Sequence, residues 1–179
     1  MKTRVIVGLG NPGIAFKDTY HNAGMLAVQY LAGELEKEGV AVEWKTHKKL
    51  FSYAVAHDLA LILPLTFMNE SGMAVKEAMK KFSAEAEDLT VVHDESDLAV
   101  GTYKVSVGRN AAGHKGILSI MAALGTKDFT RIRIGIRRPN PGQRKKASDF
   151  VLKKITAADR KSLDTVFGTI ATERIRMSS

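Results

Sequence analysis

Arg4-Val5-Ile6-Val7-Gly8-Leu9-Gly10-Asn11-Pro12-Gly13 is the stretch on which the fold turns. An apolar strand running into Gly-x-Gly-x-x-Gly fits the dinucleotide fingerprint. That fingerprint needs a helix opening directly at the turn, with free backbone N–H groups facing a pyrophosphate. Pro12 removes one such donor and restrains Asn11 away from helical angles. Residues 14–20 show no helical stripe, so the helix is expected only near Asn22, after Tyr20 and His21. The better reading is a strand-end turn that presents a side-chain amide, Asn11, beside an imidazole, His21.

Working outward, Met25, Val28, Leu31, Ala32 and Leu35 recur at helical spacing up to Gly39. Phe51, Tyr53 and Val55 alternate, and the apolar run Leu59 to Leu63 ends at Pro64, which reads as two strands joined by a tight turn. Ala74, Ala78, Met79 and Phe82 suggest a second helix. Leu89-Thr90-Val91-Val92 is a buried-type strand whose end delivers His93 and Asp94. A strand at Tyr103 to Val107, a helix from Gly116 to Leu124 and a strand at Arg131 to Ile136 follow. Thr156 with Asp159 resembles a capping box opening a last helix through Ile170. The expectation is α/β: one domain over 1–179, with a mixed, mostly parallel sheet and helices on both faces. Ligands of such sheets gather beyond the carboxyl ends of the strands, where Asn11, Asn69 and Asp94 are placed.

Composition narrows the chemistry. The 179 residues suit one domain with a core, and 45% hydrophobic with 26% charged residues describe an ordinary globular chain. With no cysteine, disulfides, thiolate metal sites and a cysteine nucleophile are excluded. Neither a secretory signal nor a membrane-length apolar run is visible, so the cytoplasm is the expected location. Lys and Arg outnumber Asp and Glu by 27 to 19, giving +8, which favours polyanion partners as much as it describes a solvated basic surface.

Several further segments stand in order along the chain: Thr66-Phe67-Met68-Asn69, Val92-His93-Asp94-Glu95-Ser96-Asp97-Leu98, Gly113-His114-Lys115-Gly116 and Arg131-Ile132-Arg133-Ile134-Gly135. With the Asn11 and His21 segments, they make the chain resemble the bacterial-type peptidyl-tRNA hydrolases from about residue 4 to about residue 155. The C-terminal end is shorter than the resemblance implies. The implied substrate is a peptide, or N-blocked aminoacyl group, esterified to the terminal adenosine of a tRNA. The implied role is tRNA recycling for translation and ribosome rescue, by a monomer without organic cofactor. A non-catalytic RNA-binding relative and a dinucleotide oxidoreductase are the competing readings. Glu34 and Glu36 lie on the first helix, where they do not supply the acidic residue the latter needs.

Ester hydrolysis needs an activated water and stabilisation of charge on the carbonyl oxygen. Histidine accepts a proton near neutral pH, which makes His21 the candidate base. A carboxylate behind the imidazole fixes its tautomer, the role the family pattern implies for Asp94. Asn11 and Asn69 offer amides to the peptide or the attacked carbonyl, and Met68 is expected to line the same crevice. No Gly-x-Ser-x-Gly elbow marks a serine nucleophile, so direct attack by water is the simpler mechanism. His21-Asn22 also reads as simple helix capping, and His93 and His114 as hydrogen-bonded structural histidines. Carboxylates Asp94, Glu95 and Asp97 beside His93 lack a metal-binding spacing, and no metal is expected.

Basic residues fall in clusters: Lys45, Lys48 and Lys49; the loop with Arg137, Arg138, Arg144, Lys145 and Lys146; and Arg131 with Arg133 on one strand face. In the family a basic pair grips a terminal phosphate of the acceptor stem. Arg133 matches one member. The other falls on Ser106, with Lys104 two residues away on the same strand face. Two more positions depart from the family. Lys115 stands where asparagine follows the histidine, bringing a cation beside His21, and Phe16 stands where tyrosine is usual. Both belong to the expected substrate-binding set.

Overall fold

A computed structural model describes residues 2–139 and 146–175, with the side chains of the last two left out. The basic loop residues Arg144 and Lys145 lie outside the described residues. Seven strands form one sheet: β1 (Arg4–Gly8), β2 (Lys45–His47), β3 (Phe51–Ala56), β4 (Leu59–Pro64), β5 (Leu89–Ala99), β6 (Tyr103–Val107) and β7 (Thr130–Arg137). Their order is β2-β3-β4-β1-β5-β7-β6. The inner four run parallel, while the β2–β3–β4 meander and β6 pair antiparallel at the flanks. The sheet is thus mixed, with a parallel centre.

Alternation along β1 explains why it sits in the middle. Ile6 faces one apolar cluster while Val5 and Val7 face the other, as the period of two requires. Each such buried aliphatic side chain contributes about 1.5–3 kcal/mol. Helices α1 (Ala23–Lys37) and α4 (Ala157–Ile170) supply residues to the cluster on one face of the sheet. Helices α2 (Ser71–Lys81) and α3 (Lys115–Leu124) supply them to the cluster on the other. Both faces are covered, as expected.

Three details differ from the sequence reading. Strand β5 does not stop at Val92 but continues to Ala99. Its partner β1 ends at Gly8, opposite Val92, whereas β7 continues alongside and keeps β5 extended. Asp94 therefore projects from within a strand, just past the end of β1. The short edge strand β2 was not anticipated, because Lys45-Thr46-His47 carries no apolar signal. At α4, Thr156 Oγ1 accepts from the Asp159 N–H at 3.3 Å, but Asp159 does not return a bond to complete the box. Its carboxylate instead accepts from the Tyr20 hydroxyl and the Arg138 guanidinium. The helix end is thereby tied to the residue preceding His21.

Candidate active site

His21 lies in a single 3-10 turn, Tyr20–Asn22, that leads into α1. Its placement depends on close backbone approach. A Cβ on Gly24 would sit 2.0 Å from the Val92 carbonyl oxygen, so only glycine lets the first turn of α1 pack against β5. The His21 N–H donates to the Val151 carbonyl at 2.8 Å and the Tyr20 N–H to Lys153 at 3.2 Å. The histidine is thus held from the sheet side and from the segment before α4.

Its Nδ1 lies 2.9 Å from each oxygen of Asp94. A carboxylate can only accept here, so Nδ1 carries the proton and Nε2 keeps its lone pair. Asp94 is 2% exposed and is shared: His114 Nε2 also lies 2.9 Å from Oδ1. The His114 tautomer follows from its other nitrogen. Nδ1 accepts the Ile117 N–H at 3.3 Å, capping α3, so Nε2 carries the proton and donates to Asp94. The sequence reading of His114 as a structural, hydrogen-bonded residue missed this link to Asp94. His93 is fully buried, donates from Nδ1 to the Asp94 carbonyl at 2.7 Å and leaves Nε2 without a partner. Its ring meets His114 edge-on at 4.7 Å.

Electrostatics follow from these contacts. Burial disfavours ionised Asp94, yet the N–H groups that His114 and His21 turn toward it, by electrostatic attraction and hydrogen bonding, overcome that and hold the carboxyl well below the usual carboxylate range. Burial also opposes a charged His21, and the adjacent Lys115 ammonium opposes it further; the Asp94 charge and hydrogen bond outweigh both and raise the imidazole pKa. Burial, then the neighbouring His114, pushes His93 far down, so it stays neutral. Among the described residues, His21, Asp94 and His114 offer ligand atoms within 4.8 Å of one another, a set small enough for a metal ion. The Ile117 contact keeps the His114 Nε2 protonated, however, and a protonated nitrogen is not a ligand.

Asn11 is held more firmly than expected. Asn22 Oδ1 accepts the Asn11 N–H at 2.8 Å and Asn22 Nδ2 donates to the Asn11 carbonyl at 3.0 Å. Asn22 makes no side-chain cap bond, so its role is this clamp and not the capping that its position suggested. Asn11 Oδ1 in turn accepts the Met68 N–H at 2.7 Å, which fixes the amide orientation and leaves Nδ2 as the donor for a ligand. The turn's Asn11 N–H is consumed and α1 opens only at Ala23, so the pyrophosphate cradle of a dinucleotide fold is not formed here.

These groups border a crevice of about 460 Å³. Asn11, His21, Met68, Asn69, Asp94 and Lys115 all line it, as expected, together with Phe67 and the wall residues Val151 and Leu152. Met68 and Asn69 occupy a 3-10 turn after β4, and Lys115 opens α3. A Cβ on Gly116 would meet Met68 Sδ at 2.5 Å, so glycine there allows α3 to close on the crevice floor. Phe16 differs from expectation: it does not line the crevice but braces Phe67, edge to face with centroids 6.1 Å apart. Phe67, 52% exposed, presents the apolar surface instead.

The expected phosphate pair is placed unequally. Lys104 is exposed on β6, directly opposite Arg133 on β7. Arg133 is 7% exposed and bonds Glu95 Oε2 at 3.4 Å, so its guanidinium is not presented to solvent as the sequence reading assumed. The physical reason is the extension of β5, which lays Glu95 beside β7. Ser106 is likewise covered, its Oγ without a partner. Arg131, 1% exposed, donates to the Arg109 and Asn110 carbonyls and pins the loop before His114.

A sheet covered on both faces, with an imidazole–carboxylate pair and an oriented amide beyond its central strands, makes an α/β protein whose crevice has the groups a hydrolase needs. Comparison with known proteins makes the class specific. The family model described as peptidyl-tRNA hydrolase matches residues 5–177. A peptidyl-tRNA hydrolase of Mycolicibacterium smegmatis is 40% identical over 167 residues, spanning 90% of this chain and 84% of that one. One from Mycobacterium marinum is 41% identical over 167 residues, with the same shares of 90% and 84%. The crystal structure of peptidyl-tRNA hydrolase from Acinetobacter baumannii superposes with a TM-score of 0.82 at 31% identity, covering 96% of this chain and 86% of that chain. The chain belongs to the peptidyl-tRNA hydrolase family.

Proposed function

We propose that this chain hydrolyses the ester joining a peptide, or N-blocked aminoacyl group, to tRNA, returning free tRNA to translation in the cytoplasm. The observation that carries the reading is the His21–Asp94 pair, with Nδ1 2.9 Å from both carboxylate oxygens and Nε2 left to receive a proton. Water held at Nε2 gives up a proton as it attacks the ester carbonyl, and Asp94 stabilises the imidazolium that forms. Asn11 Nδ2 donates toward the developing oxyanion, its direction fixed by the Met68 N–H and the Asn22 clamp. Asn69 and Phe67 hold the peptide, one by its amide and one by its exposed ring. The imidazolium then returns its proton to the departing ribose oxygen, so no proton is lost or gained by the enzyme.

Lys104 contacts acceptor-stem phosphate, and Arg133 contributes charge from beneath it. Lys115 faces the reacting centre from the start of α3. No step calls on a metal or an organic cofactor, and the protein works as a monomer. Incubation of the purified protein with N-acetyl-aminoacyl-tRNA tests the reading. Release of the N-blocked amino acid with intact tRNA as the second product is expected; binding without release would leave an RNA-binding relative in its place.

A further inference from the structure

Hydrolysis as proposed gives no work to His93, although it is the residue beside Asp94 and only 1% exposed. Its Nδ1 donates to the Asp94 carbonyl at 2.7 Å, and its Nε2 is buried without a partner. A stranded polar atom in the interior costs free energy, and an aliphatic side chain of similar size would fill the same space without one. An imidazole is favoured here only if its other nitrogen does something an aliphatic group cannot. The bond made by Nδ1 is that something.

The strand ladder shows what that bond replaces. The Leu9 N–H donates to the Val92 carbonyl at 2.9 Å, where β1 ends alongside β5. Carbonyls two residues apart on a strand point to the same edge, so the Asp94 carbonyl faces the gap beyond the end of β1. There the His93 Nδ1–H stands in for a strand donor. Side chains alternate through the same stretch: Val91 belongs to the apolar cluster of α2 and α3, Val92 to that of α1 and α4. His93 continues the first side and Asp94 the second. The carboxylate is thus turned to His21 before α1, while the His93 ring meets His114, the cap of α3, edge-on at 4.7 Å. His114 is the second donor to Asp94 Oδ1. One buried side chain therefore braces both the main chain of Asp94 and a ring that grips its carboxylate.

We infer that His93 is a positioning residue for the proposed hydrolysis: its Nδ1–H holds the Asp94 peptide group beyond the reach of β1, so that both carboxylate oxygens stay on His21 Nδ1. The inference rests on the hydrolytic reading given above. His93 touches neither the water nor the ester and acts only through Asp94. Without its donor the Asp94 carbonyl would turn toward another partner, and the carboxylate would lose its paired 2.9 Å contacts with the base. Misplacement of a catalytic group by about 1 Å can cost on the order of 100-fold in rate.

His93→Leu keeps the bulk and removes the donor. Single-turnover hydrolysis of N-acetyl-aminoacyl-tRNA should slow roughly 10- to 100-fold, while the half-saturating substrate concentration stays close to that of the parent. His93→Asn places an amide Nδ2 where Nδ1 stood and should restore most of the rate. Nitrogen NMR of the histidines reads the same contact without substrate. In the parent, His21 titrates above the ordinary imidazole value; in His93→Leu it should titrate lower, and in His93→Asn it should return. Asp94 on β5 and His114 and Lys115 at the start of α3 are the titratable groups facing His21, and Val151 and Leu152 border it without charge; every variant keeps them all. A histidine that merely packs would cost stability when replaced and leave that titration unmoved. A folded His93→Leu with the parental rate and titration would overturn the inference. So would a His93→Asn variant as slow as His93→Leu. If leucine prevents folding, His93→Ala removes the donor without crowding and faces the same outcomes. If alanine also prevents folding, His93→Asn decides alone, a parental His21 titration supporting the inference and a lowered one refuting it. No release by the parent itself would refute the hydrolase reading, and the NMR titration would still judge His93.

Discussion

Asp94→Asn isolates the carboxylate without changing its size. Oδ1 accepts from both His21 and His114, and Oδ2 from His21 again. An amide has one oxygen, so a donor NH₂ must face at least one N–H donor whichever way it is turned. The least costly escape is for His21 to move its proton to Nε2, which removes the lone pair that activates water. A unit negative charge is also lost about 3 Å from the forming imidazolium, an interaction on the order of 5 kcal/mol at an effective dielectric near 20. Burial of the carboxylate opposes part of that, so the expected loss is on the order of 10²–10⁴-fold in the chemical step, or about 3–5 kcal/mol. Single-turnover release of N-acetyl amino acid, followed across pH, measures it. In the parent, Asp94 raises the His21 pKa, so the rate climbs with pH through a limb above the ordinary imidazole value. In the variant the residual rate should show that limb at lower pH. A rate within threefold of the parent, with an unmoved limb, refutes the coupling.

Lys115→Asn removes the ammonium that opposes a charged His21. It should be active and faster than the parent, with its acidic limb at higher pH, as a pH–rate series on both proteins will show; loss of activity would mean that the lysine steadies the oxyanion. Asn22→Ala deletes the two bonds, of 2.8 and 3.0 Å, that clamp Asn11 and leaves two buried backbone groups unpaired. A urea titration should give a stability loss of about 2–4 kcal/mol, and the turnover number should fall even under conditions where the variant is fully folded. Lys104→Ala should weaken tRNA binding and lower its salt slope by about one. Arg133→Ala should chiefly destabilise, because it removes the cation paired with Glu95 Oε2, on a side chain only 11% exposed; a full parental stability there would contradict the pairing.

The parallel centre of the fold was readable because its strands are buried on both faces and written as apolar runs, as in Leu59 to Leu63 and Leu89 to Val92. Pro12 did most to reject a nucleotide turn, and the late start of α1 followed from the missing stripe in residues 14–20. What escaped depends on partners distant in sequence. Glu95 is an unremarkable loop carboxylate until β5 extends beside β7, and only then does Arg133 become buried. Asn22 carries the side chain of a helix cap, and nothing local says that it will face Asn11 across the turn. Asp159 has capping-box spacing, yet the buried Tyr20 hydroxyl, 139 positions away along the chain, claims its carboxylate. Local patterns name residue types that can do a job; long-range contacts decide which job is done.

The proposed hydrolysis depends on the His21 imidazole taking a proton from the attacking water. Single-turnover hydrolysis of N-acetyl-aminoacyl-tRNA by His21→Ala, with tRNA binding measured in parallel, tests it most directly. A rate reduced on the order of 10²–10⁴-fold is expected, with affinity for tRNA retained because His21 contacts no phosphate. Near-parental hydrolysis by His21→Ala would contradict it and move the base elsewhere in the crevice.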